Sequence, residues 1–411
     1  MHWLKFFIVL ITLTGLTACT QDKVETGANI AAKDYSRPLP EGRRALVRIT
    51  DPDRMPDLES AWKGRDLFLR DSMDESISWF DKESTLEWYP HEGIDHARAR
   101  ASVVAMRELI LESSDSESFQ RQLLEQFDVY ESIGCDGDGT VLFTGYFSPV
   151  LDGKTQPTDE DDTPLYLRPS DLVTHPSTGE PLGRLQADGT MAPWPGRREI
   201  ESGDLFDGTE LVWVEDPLTA YIAHVNGSAK IRMEDGTHMF VGYDGKTDGE
   251  YKGLGVSLVE SGLADPTELS LPTVRRLYKR HPEQVSELIL DNDCYVFFRE
   301  YDGGTWPSGS LGFPVTTERT VATDKSVYPR GGVVLVDTTT NTFGGSRPFT
   351  QFMLDQDTGG AIRAPGRADL YMGTGSAAEI LAGGQYAEGK LYYFFLKPDQ
   401  VASVNERWVS P

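Results

Sequence analysis

Hydrophobic positions change their period near residue 134. From 58 to 130 they recur at helical intervals, with Ala61-Trp62, Leu67-Phe68 and Trp79-Phe80 as successive apolar pairs. The stretch 96–111 is amphipathic and free of Pro and Gly, and 113–127 continues it with Leu123, Leu124 and Phe127 as the apolar stripe. Beyond Gly134 the runs shorten. Segments 141–146, 210–214 and 219–225 read as strands bounded by Gly, Pro, Asp and Asn. Leu271, Val274, Leu277 and Tyr278 predict one helical insertion over 266–290, and short strands resume at Tyr295. A helical block followed by many short strands predicts an α+β, mainly β fold built of barrel or sandwich modules, not a doubly wound parallel sheet. The sequence contains no internal repeat.

The first twenty residues belong to targeting. Lys5 precedes an apolar run over 6–16, too short to span a bilayer but long enough for a signal-peptide core. The run ends in Leu16-Thr17-Ala18-Cys19, which resembles a bacterial lipobox. That resemblance implies a signal peptide over 1–18, acylation of Cys19 and a periplasm-facing protein lipid-anchored to the outer membrane of a Gram-negative bacterium. Thr20 stands where inner-membrane retention signals carry Asp. A cleaved secretory peptide with an incidental cysteine is the alternative. Residues 19–40 are polar and aperiodic, carry Pro38 and Pro40, and read as a flexible tether.

Charge narrows the function. The chain has 65 acidic and 39 basic residues, a formal charge of −26, and no Lys/Arg cluster, which excludes a nucleic-acid partner. Its 411 residues suffice for two domains and for a core that needs no metal or disulfide. Cys135 and Cys294 would pair in an oxidising periplasm if geometry allowed; otherwise they are two buried thiols.

Several familiar signals fail. His91-Glu92 with His96 has the wrong spacing for a zinc-protease helix, because imidazoles five residues apart point about 140° away from each other. Gly373-Thr374-Gly375-Ser376 imitates a dinucleotide loop but leaves no room for the βαβ units that would follow, and it reads as a helix N-terminus near a site. No Ser occupies a nucleophile elbow. The acidic run 159–162 lacks calcium-loop spacing and reads as a solvated loop.

What survives is a set of aspartates in a glycine-rich, strand-rich C-terminal third: Asp324 in Val321-Ala322-Thr323-Asp324, Asp357 before Gly359-Gly360, and Asp369 in Ala368-Asp369-Leu370-Tyr371. An Asp between apolar neighbours on a strand is held by the framework, and burial raises its pKa. The glycine pair lets a backbone or a sugar approach closely. A structural Asp accepting turn N–H groups is the bland alternative.

These three motifs resemble the three-aspartate signature of the membrane-bound lytic murein transglycosylase A family. Thr144-Gly145-Tyr146-Phe147-Ser148-Pro149, Asn226-Gly227-Ser228-Ala229, Tyr243-Asp244-Gly245-Lys246 with Tyr251 and Gly255, and Asn292-Asp293-Cys294-Tyr295 match in the family's order. Gly312-Phe313-Pro314 and Arg319 precede the first aspartate. The chain departs from the family at Asn226 (Gln), Ala229 (Gly) and Cys294 (Ser).

The resemblance implies a peptidoglycan lytic exotransglycosylase. It would cleave the β-1,4 bond between N-acetylmuramic acid and N-acetylglucosamine and close the muramyl C6 hydroxyl onto C1. The nucleophile is part of the substrate, so one carboxyl group suffices as acid and then base. Asp369 matches that acid, which needs a pKa about two units above its usual ~3.9. Asp357 is expected to support it and Asp324 to fix turn geometry. Tyr146, Asn226, Ser228, Lys246 and Tyr371 are candidates for sugar contacts. The family fold implies a six-stranded double-psi β-barrel over 41–150 and 301–411, interrupted by a smaller β-domain over 151–300 that forms the other wall of a glycan groove. No metal or cofactor is required; the partners are glycan strands and, through the anchor, the membrane. The rivals are a hydrolysing muramidase, with Asp357 as second carboxylate, and a non-catalytic peptidoglycan-binding lipoprotein.

Overall fold

The computed structural model describes residues 33–407 apart from 177, 267, 343 and 344. The expected leader, Cys19 and the tether up to residue 32 lie outside the described residues.

Strand β1 (Leu46–Arg48) leads into helices α1 (Leu58–Lys63), α2 (Leu67–Phe80), α3 (His96–Glu112) and α4 (Ser116–Gln126). Each helix begins at an aspartate. The side chains of Asp57, Asp66, Asp95 and Asp115 accept from the backbone N–H groups of Ser60, Leu69, Arg98 and Ser118. Each bond satisfies a donor with no intrahelical partner and places negative charge at the positive end of the helix dipole. Part of the acidic excess is therefore structural. Helix α3 is more enclosed than its amphipathic pattern predicts. Arg98, Ala99 and Ala101 to Met106 are all buried, and Arg98 reaches inward to Asp128 (2.9 Å) and to the carbonyl of Leu396 (2.8 Å). The helices grip the sheet through Arg319, which donates to Asp66 and to the carbonyl oxygens of Gly64 and Phe352.

After β2 (Phe127–Ser132) and β3 (Val141–Ser148) the chain leaves for a second sheet. Strands β4 (Val150–Lys154) and β5 (Thr163–Tyr166) are followed by a small meander, β6 (Leu172–Thr174), β7 (Pro181–Leu185) and β8 (Met191–Ala192). Then come α5 (Arg197–Ser202), β9 (Glu210–Val214), α6 (Pro217–Asn226), β10 (Ser228–Met233) and β11 (His238–Lys246). Helices α7 (Leu254–Glu260), α8 (Leu271–Arg280) and α9 (Pro282–Ile289) precede β12 (Val296–Glu300). The sheet order is β12-β11-β10-β4-β9-β5, and a bridge between Leu167 and Phe298 nearly closes it. Phe298 packs inside with Val212, Ile231 and Val241, while its neighbour Phe297 faces the opposite way onto Trp194 and Phe206, as strand alternation requires.

Three expectations need correction here. Segment 219–225 is helix α6, not a strand. Asp216 caps it by accepting from Thr219 N–H, Pro217 sits in its first turn, and Gly227 ends it in the left-handed conformation at φ 67°. Those start and stop signals outweigh the β-branched content. The insertion 266–290 is two helices split at Pro282, with α7 before them. The loop 159–162 is not merely solvated. Asp162 is buried, pairs with Lys154 at 2.9 Å and accepts from the backbone N–H groups of Thr158 and Asp159.

The chain returns as β13 (Thr320–Ala322), β14 (Val333–Thr342), β15 (Gly345–Asp357), β16 (Arg367–Thr374), α10 (Ser376–Gly384), β17 (Tyr386–Leu396) and α11 (Val401–Arg407). Six strands close a ring in the order β17-β14-β15-β13-β16-β3 and back to β17. Closure depends on the length of β17. Its first half, from Tyr386 to Gly389, pairs with β3, and its second half, from Tyr392, pairs with β2. The β13–β15 and β16–β3 pairs are parallel. Inside and around the ring, Val321, Val334, Phe352, Leu370 and Phe394 are fully buried and continuous with the helical layer. This is the expected α+β, mainly β architecture with a six-stranded barrel. Among the described residues no disulfide joins Cys135, just beyond β2, to Cys294, just before β12, and both are buried. Burial pushes the Cys294 thiol above its usual pKa.

Candidate active site

Strand register assembles the site. Asp357 on β15 pairs with Ala322 on β13, Ala322 with Asp369 on β16, and Asp369 with Thr144 on β3. One row across the barrel wall thus holds two of the three aspartates, their backbones two strand spacings or roughly 10 Å apart. Strand alternation puts Arg367, Asp369 and Tyr371 on one face of β16, and Thr144, Tyr146 and Ser148 on one face of β3. The hydrogen bonds follow those faces. Thr144 Oγ1 donates to Asp369, Tyr146 OH donates to Asp357 Oδ2 at 2.7 Å, and the Ser148 and Tyr371 hydroxyls meet at 3.1 Å.

Asp369 is flanked by a cation. Arg367 Nε lies 3.2 Å from its Oδ1, the two side chains being 27% and 14% exposed. Asp369 is the chief reason that the Arg367 guanidinium holds its proton above the usual range. Asp357 is different. Its carboxylate accepts from Tyr146 OH and from the backbone N–H groups of Ser310 and Thr358, both at 2.9 Å. Burial nonetheless outweighs these bonds and raises its pKa. Tyr146 is in turn pushed far above its usual value, by burial first and then by the Asp357 charge.

Asp324, just past β13, accepts from Ser326 N–H (2.9 Å), Ser326 Oγ (2.7 Å) and Ala364 N–H (2.7 Å). Ala364 has φ 61°, a left-handed conformation that a side chain disfavours. Asp324 therefore holds the strained loop that joins Asp357 to Asp369. Glycine is required at 145 for another reason: a Cβ there would lie 2.7 Å from Ala382 Cα, where α10 crosses β3. Nothing stands within 4 Å of a Cβ at Gly360, so that face of the loop is open.

The remaining candidates divide. Asn226 Oδ1 accepts from Phe147 N–H (3.2 Å) and its Nδ2 donates to the Ile222 carbonyl (2.8 Å), tying α6 to β3. Ser228 meets Ser148 at 3.0 Å and is buried. Lys246 does not join the row; it pairs with Glu180 at 3.3 Å. Thr144 was named from sequence only as part of its motif and Arg367 was not named at all, although each lies two residues before a candidate on the same strand face. Tyr251 and Tyr386, 38% and 54% exposed, also stand near enough to feel the Arg367 charge. A recess of about 300 Å³ opens beside Gly145, walled by Phe147, Tyr221, Val225, Asn226 and Tyr251. A larger recess of about 410 Å³, among Asp152, Lys154, Glu215 and Arg232, includes none of these residues. Among the described residues no group of three or more His, Cys, Asp or Glu is placed to hold a metal ion.

A family profile described as the MltA specific insert domain matches residues 142–299, and one described as the 3D domain matches 319–395. The chain is 30% identical to membrane-bound lytic murein transglycosylase A of Vibrio cholerae over 287 residues, 68% of this chain and 71% of that protein. The chain belongs to the membrane-bound lytic murein transglycosylase A family. It is 28% identical to the Escherichia coli K12 member over 277 residues, 66% of this chain and 70% of that one. The family fold is shared as well. The crystal structure of a membrane-bound lytic murein transglycosylase from Agrobacterium tumefaciens matches with TM-score 0.70 at 24% identity, over 87% of this chain and 99% of that one. E. coli MltA crystallised with bound chitohexaose matches with TM-score 0.65 at 22% identity, over 92% and 100%. The 3D-domain match contains all three aspartates, and the insert-domain match begins within β3, two residues before Thr144.

Proposed function

We propose that this chain is a peptidoglycan lytic transglycosylase. It cleaves the β-1,4 bond between N-acetylmuramic acid and N-acetylglucosamine and leaves a 1,6-anhydromuramyl end. Asp369 protonates the leaving oxygen and then accepts the proton of the muramyl C6 hydroxyl as that oxygen closes on C1. The observation that carries this reading is the Asp357–Ala322–Asp369–Thr144 row, whose first three residues lie inside the region matched to the 3D domain and whose last lies inside the insert-domain match. Asp357, held by Tyr146, supports the developing positive charge at C1, and Asp324 fixes the loop between the two. Tyr146, Tyr251 and Tyr386 offer ring faces to sugars. The chitohexaose bound by the E. coli relative supports a glycan strand as the occupant. The barrel with its helices forms one domain and the insert the other, the glycan lying between them. Cys19, acylated after removal of residues 1–18, tethers the protein to the outer membrane, facing the periplasm.

Digestion of purified peptidoglycan followed by mass spectrometry of the soluble muropeptides tests the reaction. Products one water lighter than hydrolysed ones, absent with Asp369→Asn, are expected. Full-mass reducing ends would instead make the protein a muramidase. Burial of Asp357 favours a second assignment, in which it is the acid; Asp357→Asn would then abolish turnover while Asp369→Asn retained it.

A further inference from the structure

Building on the reading of Asp369 as the acid, we propose that Arg367 is a specificity-determining residue that binds the lactyl carboxylate of peptide-stripped muramic acid, releasing Asp369 as it does so. Arg367 lies on the same face of β16 as the acid and is partly open to solvent. Its protein bonds leave capacity. Nε is shared between Asp369 and Thr144 Oγ1, Nη1 donates to the Ala361 carbonyl (3.2 Å) and Nη2 donates to Thr144 Oγ1 (3.2 Å). A guanidinium has five N–H donors, so one on each terminal nitrogen has no protein acceptor among the described residues.

Neutralising Asp369 does not by itself account for this cation. Arg367 Nε lies 3.2 Å from Asp369 Oδ1 and so occupies the carboxyl group that must reach the glycosidic oxygen. The pairing fits catalysis if substrate opens it. The muramyl sugar carries an anion beside the scissile bond when its lactyl carboxyl is free, and a guanidinium fork matches a carboxylate in two parallel bonds. With a stem peptide attached, that carboxyl becomes a neutral amide, and N-acetylglucosamine has no such group. Among the described residues, the groups whose charge acts most on Arg367 are Asp369 on its own strand, Tyr251 on the segment before α7 and Tyr386 on β17.

The proton count closes. As Arg367 turns to the substrate carboxylate, Asp369 takes one proton from solvent and passes it to the glycosidic oxygen while the C1–O bond breaks. The C6 hydroxyl then bonds to C1 and returns its proton to Asp369. Stripped glycan is therefore preferred over peptide-bearing glycan and chitin-like oligomers alike.

Calorimetric binding with the detergent-solubilised full chain tests this in an Asp369→Asn background, where substrate is not consumed. Adding Arg367→Gln should weaken binding of peptide-free N-acetylglucosaminyl-muramic acid oligomers about tenfold or more, and leave chitohexaose within about twofold. Arg367→Lys, which keeps the charge without the fork, should recover part of the loss. Equal weakening for both ligands, or none for either, overturns the proposal. If the Gln variant fails to fold, the Lys variant decides: it must lose several-fold for the muramyl ligand alone, and an unchanged ratio overturns the idea. Persistent turnover in Asp369→Asn would remove the acid assignment, yet the ratio of the two affinities would still decide the role of Arg367.

Discussion

Asp324→Ala should unfold the site before it disarms it. The substitution removes three hydrogen bonds, and the costliest loss is the acceptor for the buried Ala364 N–H. An unpaired buried N–H costs about 1–3 kcal/mol, and each of the two bonds to the exposed Ser326 about 0.5–1.5 kcal/mol, so about 2–6 kcal/mol is expected in all. Ala364 sits in a left-handed conformation that costs about 1–2 kcal/mol by itself, and without the carboxylate the loop is free to relax out of it. For a chain of this size about 2 °C per kcal/mol puts the fall in melting midpoint at about 4–12 °C. Circular-dichroism melting reads the stability, and peptidoglycan release well below both midpoints reads the chemistry. Turnover should remain measurable at low temperature. An unchanged midpoint with abolished turnover would refute the reasoning and make Asp324 a substrate-contacting group.

Asp357→Asn should raise stability at neutral pH while lowering activity. Burial raises the Asp357 pKa, so the stability that its neutral form gives is present below ~4 and lost as pH rises through the folded value; Asn mimics the neutral form, and chemical-denaturation midpoints of the two proteins should converge on acidification. Greater loss of stability in the Asn variant at pH 7 than at pH 3.5 would contradict the sign. Gly145→Ala should cost about 1–3 kcal/mol, because its Cβ meets backbone of α10 that cannot yield without parting from β3. Gly360→Ala, facing open space, should change the melting midpoint little but raise KM if a sugar passes over it; an unaltered KM would place the glycan elsewhere.

Much of this was legible because periodicity and local motifs are local. The helical block, the 141–146 strand and the three aspartate motifs required only residues near one another in sequence. The parallel pairing of β3 with β16 joins residues 225 apart, Thr144 and Asp369, and no local pattern announces which strand lies beside which. For that reason Arg367 escaped notice and Thr144 went no further than its motif, although period-2 alternation would have found both once the strands were known. The misread 219–225 segment shows the reverse case: its Asp216-Pro217 start and Gly227 stop were in plain sequence, but Thr, Tyr, Ile and Val content dominated the reading. Asn226 and Ser228 were marked through the Asn226-Gly227-Ser228-Ala229 motif as candidates for sugar contacts, and the structure engages both with β3.

Charge works on the substrate at two ranges, and salt separates them. The formal charge of −26 repels an anionic glycan from a distance, even though the four capping aspartates of the helical block are locally committed. Screening shortens that repulsion from ~30 Å at 0.01 M to ~10 Å at 0.1 M ionic strength. A contact between Arg367 and a carboxylate acts at hydrogen-bond range in a half-buried setting and is screened later. KM for peptide-stripped glycan should therefore fall as salt rises from ~0.01 to ~0.1 M, then rise as the short-range contact weakens. Chitohexaose, being uncharged, should bind with an affinity that stays flat across the same range. A KM for stripped glycan that is flat or rises from the lowest salt onward would show that the net charge does not oppose binding. A chitohexaose affinity that follows the glycan curve would mean that salt acts on the protein rather than on the charge of its substrate.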